Sequence, residues 1–134
     1  DGEYTLFDFW DARYCGKISN TLSASVPPRS VKVFRVAPVY EHPWFLSTDM
    51  HVLQGAVEIE DVRWDEAEKT LTVACTRPAG ESGLIWIRIP KGWKPADYKG
   101  LRTVKTKADD CVLATRRMNF KSEHETVRFV FEKM

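Results

Sequence analysis

The sequence predicts an all-β fold, an antiparallel β-sandwich of Ig-like or Greek-key type, with an N-terminal group of strands joined to it. Three observations predict it. "TLTVACT" alternates apolar and polar residues, with Leu71, Val73 and Cys75 on one face, and "TVRFVFE" repeats the pattern with Val127, Phe129 and Phe131. That period of two belongs to antiparallel strands with one wet face. Turn-forming stretches punctuate the apolar runs: "DEAEK" (65–69), "RPAGESG" (77–83), "PKGWKPADYKG" (90–100) and "NFKSEHE" (119–125). Short strands at such spacing build sandwiches or barrels. No segment carries the 3.6-residue period of a long amphipathic helix; "PADYKG" offers one short turn.

Taken in chain order, "EYTLFDFW" is the first expected strand, dense in aromatic and branched residues, and "SVKVFRV" follows the stop at Pro27-Pro28. Residues 1–37 are read as about four strands. In "VEIEDVRW", Val57 and Ile59 set one phase and Val62 and Trp64 the other. A slip of one residue keeps the apolar face inward only if a β-bulge absorbs it, so a bulge is expected near Glu60-Asp61. "LIWIRI" (84–89) is apolar at five of six positions, the mark of a central strand covered on both sides.

Pro38 and Pro43 bracket "VYEH" and suggest a division: 1–37 as one group of strands, 38–47 as a connecting seam, and 48–134 as a β-sandwich, with one core shared across 1–134 as the alternative. Trp44, Phe45 and Leu46 are expected to plug the junction. The opening "DGEYTLFDFW" has no initiator Met and no signal-peptide pattern, and it reads as cut from something longer. In that case residues 4–10 or 20–26 should leave an unpaired edge, through which a homodimer would form by sheet extension.

Hydrophobic residues make up 43% of the 134 and charged residues 29%, a globular composition. Twenty basic and 19 acidic residues are interspersed to a net charge of +1. No basic stripe exists for a phosphate backbone, which argues against nucleic acid, and no apolar run is long enough to span a bilayer. Cys15, Cys75 and Cys111 lack metal-ligand spacing. Cys75 is expected as a buried free thiol and Cys15, beside Gly16, as a turn residue.

Candidate chemistry is sparse. His42, Asp49 and His51 crowd together, but His124 is distant and no third ligand is evident, so no metal site is expected. Glu58, Glu60 and Asp61 are read as wet-face charges, and Asp65, Glu66 and Glu68 as turn charges, rather than a catalytic pair. Ser47 and Ser82 lack a G-x-S-x-G turn, and "GESG" lacks the G-K-[ST] of a phosphate loop. No catalytic residue and no cofactor is assigned. The aromatics are the best lead, because the C–H faces of sugar rings stack on flat exposed side chains. Trp93 and Tyr98 fall in an expected loop with Lys91, Lys94 and Asp97, and Trp44 follows Pro43; these three are the candidate sugar-binding residues. Trp10, Trp64 and Trp86 are expected on strands, in the core.

"YTLFDFWDARYCGKISNTLSASVPPRSVKVFRV" resembles the closing strands of the C-terminal β-sandwich in α-galactosidase (melibiase)-like bacterial glycoside hydrolases. Asp8-Phe9-Trp10, Gly16 and Pro27 through Val36 carry the likeness, which covers about a quarter of the chain. "HPWFLSTDMHVLQGAVEIEDVRWD…RPAG" is similar to an extension that follows that sandwich in such enzymes. The resemblance implies a non-catalytic accessory domain, 1–37 being closing strands and 48–134 an extension, packed on a catalytic barrel of the same parent chain. It also implies a periplasmic or extracellular setting. A carbohydrate-binding module is the second function to weigh, with glycans as partners, and a small stand-alone hydrolase the third.

Overall fold

A computed structural model describes residues 2–134. Eleven strands and no helix are present among them: β1 (Tyr4–Asp8), β2 (Arg13–Ile18), β3 (Phe34–Pro38), β4 (Trp44–Thr48), β5 (Ile59–Asp65), β6 (Thr70–Thr76), β7 (Ser82–Pro90), β8 (Trp93–Pro95), β9 (Leu101–Lys105), β10 (Cys111–Asn119) and β11 (His124–Lys133). They form three antiparallel sheets, ordered β2-β1-β3, β4-β7-β10-β9 and β5-β6-β11-β8. The two four-stranded sheets make a β-sandwich. Hairpins join β5 to β6 and β9 to β10, whereas β7 beside β10 and β6 beside β11 require the chain to cross between sheets.

Strand phase explains the layers. Leu71, Val73 and Cys75 of β6 and Val127, Phe129 and Phe131 of β11 turn inward, as their alternation predicts, and meet Ile85, Ile87 and Ile89 of β7. The other face of β7 carries Trp86 toward a second, smaller core made of Phe7, Tyr14, Leu46, Cys111 and Leu113. The three-stranded sheet therefore packs on the back of β4-β7-β10-β9, and β7 is covered on both sides. The expected bulge is present: Ile59 pairs with Cys75 and Asp61 with Ala74, so Glu60 is the extra residue and Val62 and Trp64 regain the inward phase.

Several expectations give way. Among the described residues up to 37 there are three strands, not four, because 19–33 is irregular and mostly exposed; β3 starts only at Phe34. Trp10 is not a core residue but 60% exposed. β1 stops at Asp8, whose carboxylate accepts the Asp11 N–H at 3.3 Å and turns the chain out of the sheet. Cys15 lies in β2 rather than in a turn. No free edge exists at 4–10, since β1 is paired on one side with β2 and on the other with β3, and 20–26 form no strand.

The stretch Trp44–Thr48 is more than a connector, being the edge strand β4. Phe45 faces the larger core and Leu46 the smaller, as successive strand residues do, and a register shift between Phe45 and Ser47 leaves Leu46 as the extra residue of a bulge. The following loop closes over β4. Gly55, at φ 110°, lies so near that a Cβ there would stand 2.8 Å from the Phe45 ring. Glu58, expected on the wet face, is fully buried and accepts the Thr48 hydroxyl, while Ser47 donates to Gln54 at 2.8 Å. The loop turns these polar groups inward because β4 supplies hydroxyl partners for them.

Candidate functional site

The three candidate sugar-binding residues are not brought together. Trp93 sits in β8, not in a loop, and is only 5% exposed. Its indole N–H donates to the Glu41 carbonyl at 3.0 Å, Trp64 meets it edge-on, and the Lys133 ammonium caps the ring 4.2 Å from its centroid. A ring so enclosed has no face for a sugar. Tyr98 is 53% exposed in the turn between β8 and β9. Trp44 is half-buried, packed against Tyr40 with ring centroids 4.5 Å apart. Trp64 is half-buried beneath His42, whose ring stacks flat upon it at 4.7 Å.

The polar candidates serve the fold. His42 Nδ1 lies 2.9 Å from the Pro43 carbonyl, and His51 Nδ1 accepts the Leu53 N–H at 3.1 Å. Asp49 accepts the Leu84 N–H at 2.7 Å, tying the loop to β7. His124 pairs with Glu60 at 2.6 Å on an exposed surface. No group of three His, Cys, Asp or Glu side chains suited to a metal ion is found among the described residues. Burial pushes the Cys75 thiol up to about 12, helped by the charges of Glu58 and Glu60, and Cys111 is likewise pushed to about 12. Both stay protonated and unreactive at neutral pH.

What sequence reasoning missed is a buried polar cluster between the N-terminal sheet and the sandwich. Arg88 of β7 is only 8% exposed. Its guanidinium donates to the Tyr14 hydroxyl at 3.1 Å and to Asp109 Oδ2 at 3.2 Å, and reaches the Tyr40 carbonyl at 3.5 Å. Tyr14 in turn donates to Asp109. The other Asp109 oxygen is buried without a hydrogen bond. Burial alone would raise Asp109, but the Cys111 thiol, the Tyr14 hydroxyl and the Arg88 charge outweigh it and hold the carboxyl below its ordinary range. Burial raises Tyr14, and the Asp109 hydrogen bond adds to it, so the phenol remains a donor. The one signal in the sequence was an arginine within the apolar run "LIWIRI", which a covered strand tolerates only with a partner.

In front of Arg88 opens a cleft of about 700 Å³, lined by residues of the N-terminal sheet (Glu3, Lys17), the segment before β4 (Tyr40, Glu41) and the sandwich (Lys91, Trp93, Asp110, Lys133). Ion pairs Lys17–Glu3 at 3.2 Å and Lys91–Asp110 at 3.3 Å stand at its rim. A second cleft of about 690 Å³ crosses the outer face of β5-β6-β11, over Thr70, Thr72 and Thr126 between Arg63 and Arg128. Their linings offer hydroxyls, carboxylates and cations for hydrogen bonding and ion pairing. No family model, curated protein or solved structure matches the chain.

Proposed function

We propose that the chain is a non-catalytic accessory β-domain of a glycoside hydrolase, one that packs on the catalytic barrel and stabilises it. The observation that carries this reading is the outer face of β2-β1-β3. Strand pairing aligns Tyr4 with Ile18, Leu6 with Val36, and Asp8 with Phe34 on the face opposite Phe7 and Tyr14. Leu6 is buried yet belongs to neither core, Asp8 is buried and paired with Lys32, Tyr4, Ile18 and Phe34 are half-buried, and Val36 is 50% exposed; Trp10 and Val31, in the connecting segments, are 60% and 64% exposed. The apolar positions of this face that stay open, Val36 foremost, are where a covering layer would sit. Asp8, Phe34 and Val36 of this face fall within the residues that carry the resemblance to α-galactosidase-like enzymes, Asp8-Phe9-Trp10, Gly16 and Pro27 through Val36.

In this reading the parent protein hydrolyses glycosides outside the cell or in the periplasm, and this domain contributes binding area, not catalytic groups. The test mixes the isolated chain with the barrel-bearing remainder of its parent. Expected are association by analytical ultracentrifugation and a rise in the barrel's Tm, both lost in a Trp10→Ser, Val36→Lys variant. A parent without a barrel, no association, or hydrolysis of aryl-glycosides by the chain alone overturns the reading.

A further inference from the structure

The cleft in front of Arg88 is distinct from the outer face of β2-β1-β3. Its volume of about 700 Å³ is within the range that takes one or two sugar rings. Most of its charges are already matched. Glu3 holds Lys17, Asp110 holds Lys91 and Asp109 holds Arg88 from behind. Lys133 and Glu41 remain. Among the described residues Lys133 has no carboxylate within ion-pair distance and rests its ammonium over Trp93, and Glu41 has no cation. Tyr40, whose ring packs against Trp44 and His42, also lines the cleft.

We propose that this cleft binds a carboxylated sugar, a uronate residue of an acidic glycan. A uronate offers one carboxylate, several hydroxyls and an apolar C–H face on one rigid ring, and the cleft has a counterpart for each. Lys133 meets the carboxylate, which it approaches already ordered by its contact with Trp93. Glu41 accepts from hydroxyl groups, and the outer guanidinium nitrogen of Arg88, held only by a 3.5 Å contact to the Tyr40 carbonyl, donates to a ring or hydroxyl oxygen. Tyr40 takes the C–H face.

The experiment titrates the isolated chain with trigalacturonate and triglucuronate, with galactotriose as the neutral control, and follows amide chemical shifts by NMR. Expected is saturable binding of an acidic trisaccharide, weakened as salt is raised, with shifts at Lys133, Glu41 and Tyr40. Lys133→Met keeps the stem over Trp93 and removes the charge; it should weaken binding at least about fivefold, about 1 kcal/mol. Lys94→Met, whose lysine pairs with Glu132 outside the cleft, should bind as the parent chain does. Thermal melts establish that each variant is folded. No binding by about 10 mM ligand, equal binding of galactotriose, or undiminished binding by folded Lys133→Met overturns the proposal. None of these outcomes bears on docking through the outer face of β2-β1-β3.

Discussion

Asp109 and Arg88 show how a single buried contact decides behaviour at the residue scale. Both are more than nine-tenths buried at the side chain, so each charge depends on the other. Replacing Arg88 by Met leaves Asp109 buried without its cation, and the expected cost is roughly 3–5 kcal/mol. Exchanging both, Arg88→Met with Asp109→Leu, should cost less than the two single changes added; urea unfolding of all three variants measures this. Asp109's folded-state pKa is depressed, so its contribution to stability is full above the unfolded value of about 4 and is lost as pH falls through the folded value. The thiols act at the opposite end. Cys75 and Cys111 have folded pKa values raised to about 12, so the folded chain holds protons that the unfolded chain releases. Stability is then full below about 8.5 and declines as pH rises toward about 12. Melting curves between those limits should show Tm falling, and falling less steeply in a Cys75→Val, Cys111→Ala double variant. A parallel decline in both proteins would remove the thiols as its cause.

At the scale of the element, β5 is the strand whose geometry the sequence made most legible. The change of apolar phase between Ile59 and Val62 had one economical solution, and the extra residue is Glu60. Deleting Glu60 removes the bulge yet keeps Val62 and Trp64 inward, losing chiefly an exposed pair with His124; the expected cost is within about 1 kcal/mol. Deleting Arg63 instead turns Trp64 outward and Asp65 inward, at roughly 3–5 kcal/mol. Thermal unfolding of the two deletions separates them, and similar losses from both would mean the bulge does not set the register. Glu58, one residue before the strand, was not legible, because its burial depends on a hydroxyl supplied by Thr48 in another strand. Trp10 was missed for a related reason: its composition says strand, while the turn that ejects it is made by the Asp8 side chain. Of the site, Arg88 was passed over although it is the one charged residue in "LIWIRI". Its partners Tyr14 and Asp109 lie 74 and 21 positions away, and no local period joins them.

For the whole molecule, the central sheet β4-β7-β10-β9 is common property of two cores of unequal size. The larger joins it to β5-β6-β11-β8, and the smaller, with Phe7, Tyr14, Leu46, Cys111 and Leu113, holds the N-terminal sheet. The two cores are separated by the backbone of β7 and β10, so they need not fail together. Leu113 of β10 belongs only to the smaller core and Ile87 of β7 only to the larger. Removing either leaves a cavity worth about 2–5 kcal/mol, but the consequences differ in extent. Leu113→Ala weakens the seat of the N-terminal sheet while the sandwich keeps its own core, so amides of β1, β2 and β3 should exchange with deuterium much faster and those of β6 and β11 hardly change. Ile87→Ala strikes the sheet on which both layers rest, and protection should fall in β6, β11 and β1 alike. Uniform loss in Leu113→Ala would show one cooperative unit across all three layers, and the N-terminal sheet would then be integral to the sandwich's stability rather than a layer mounted on it.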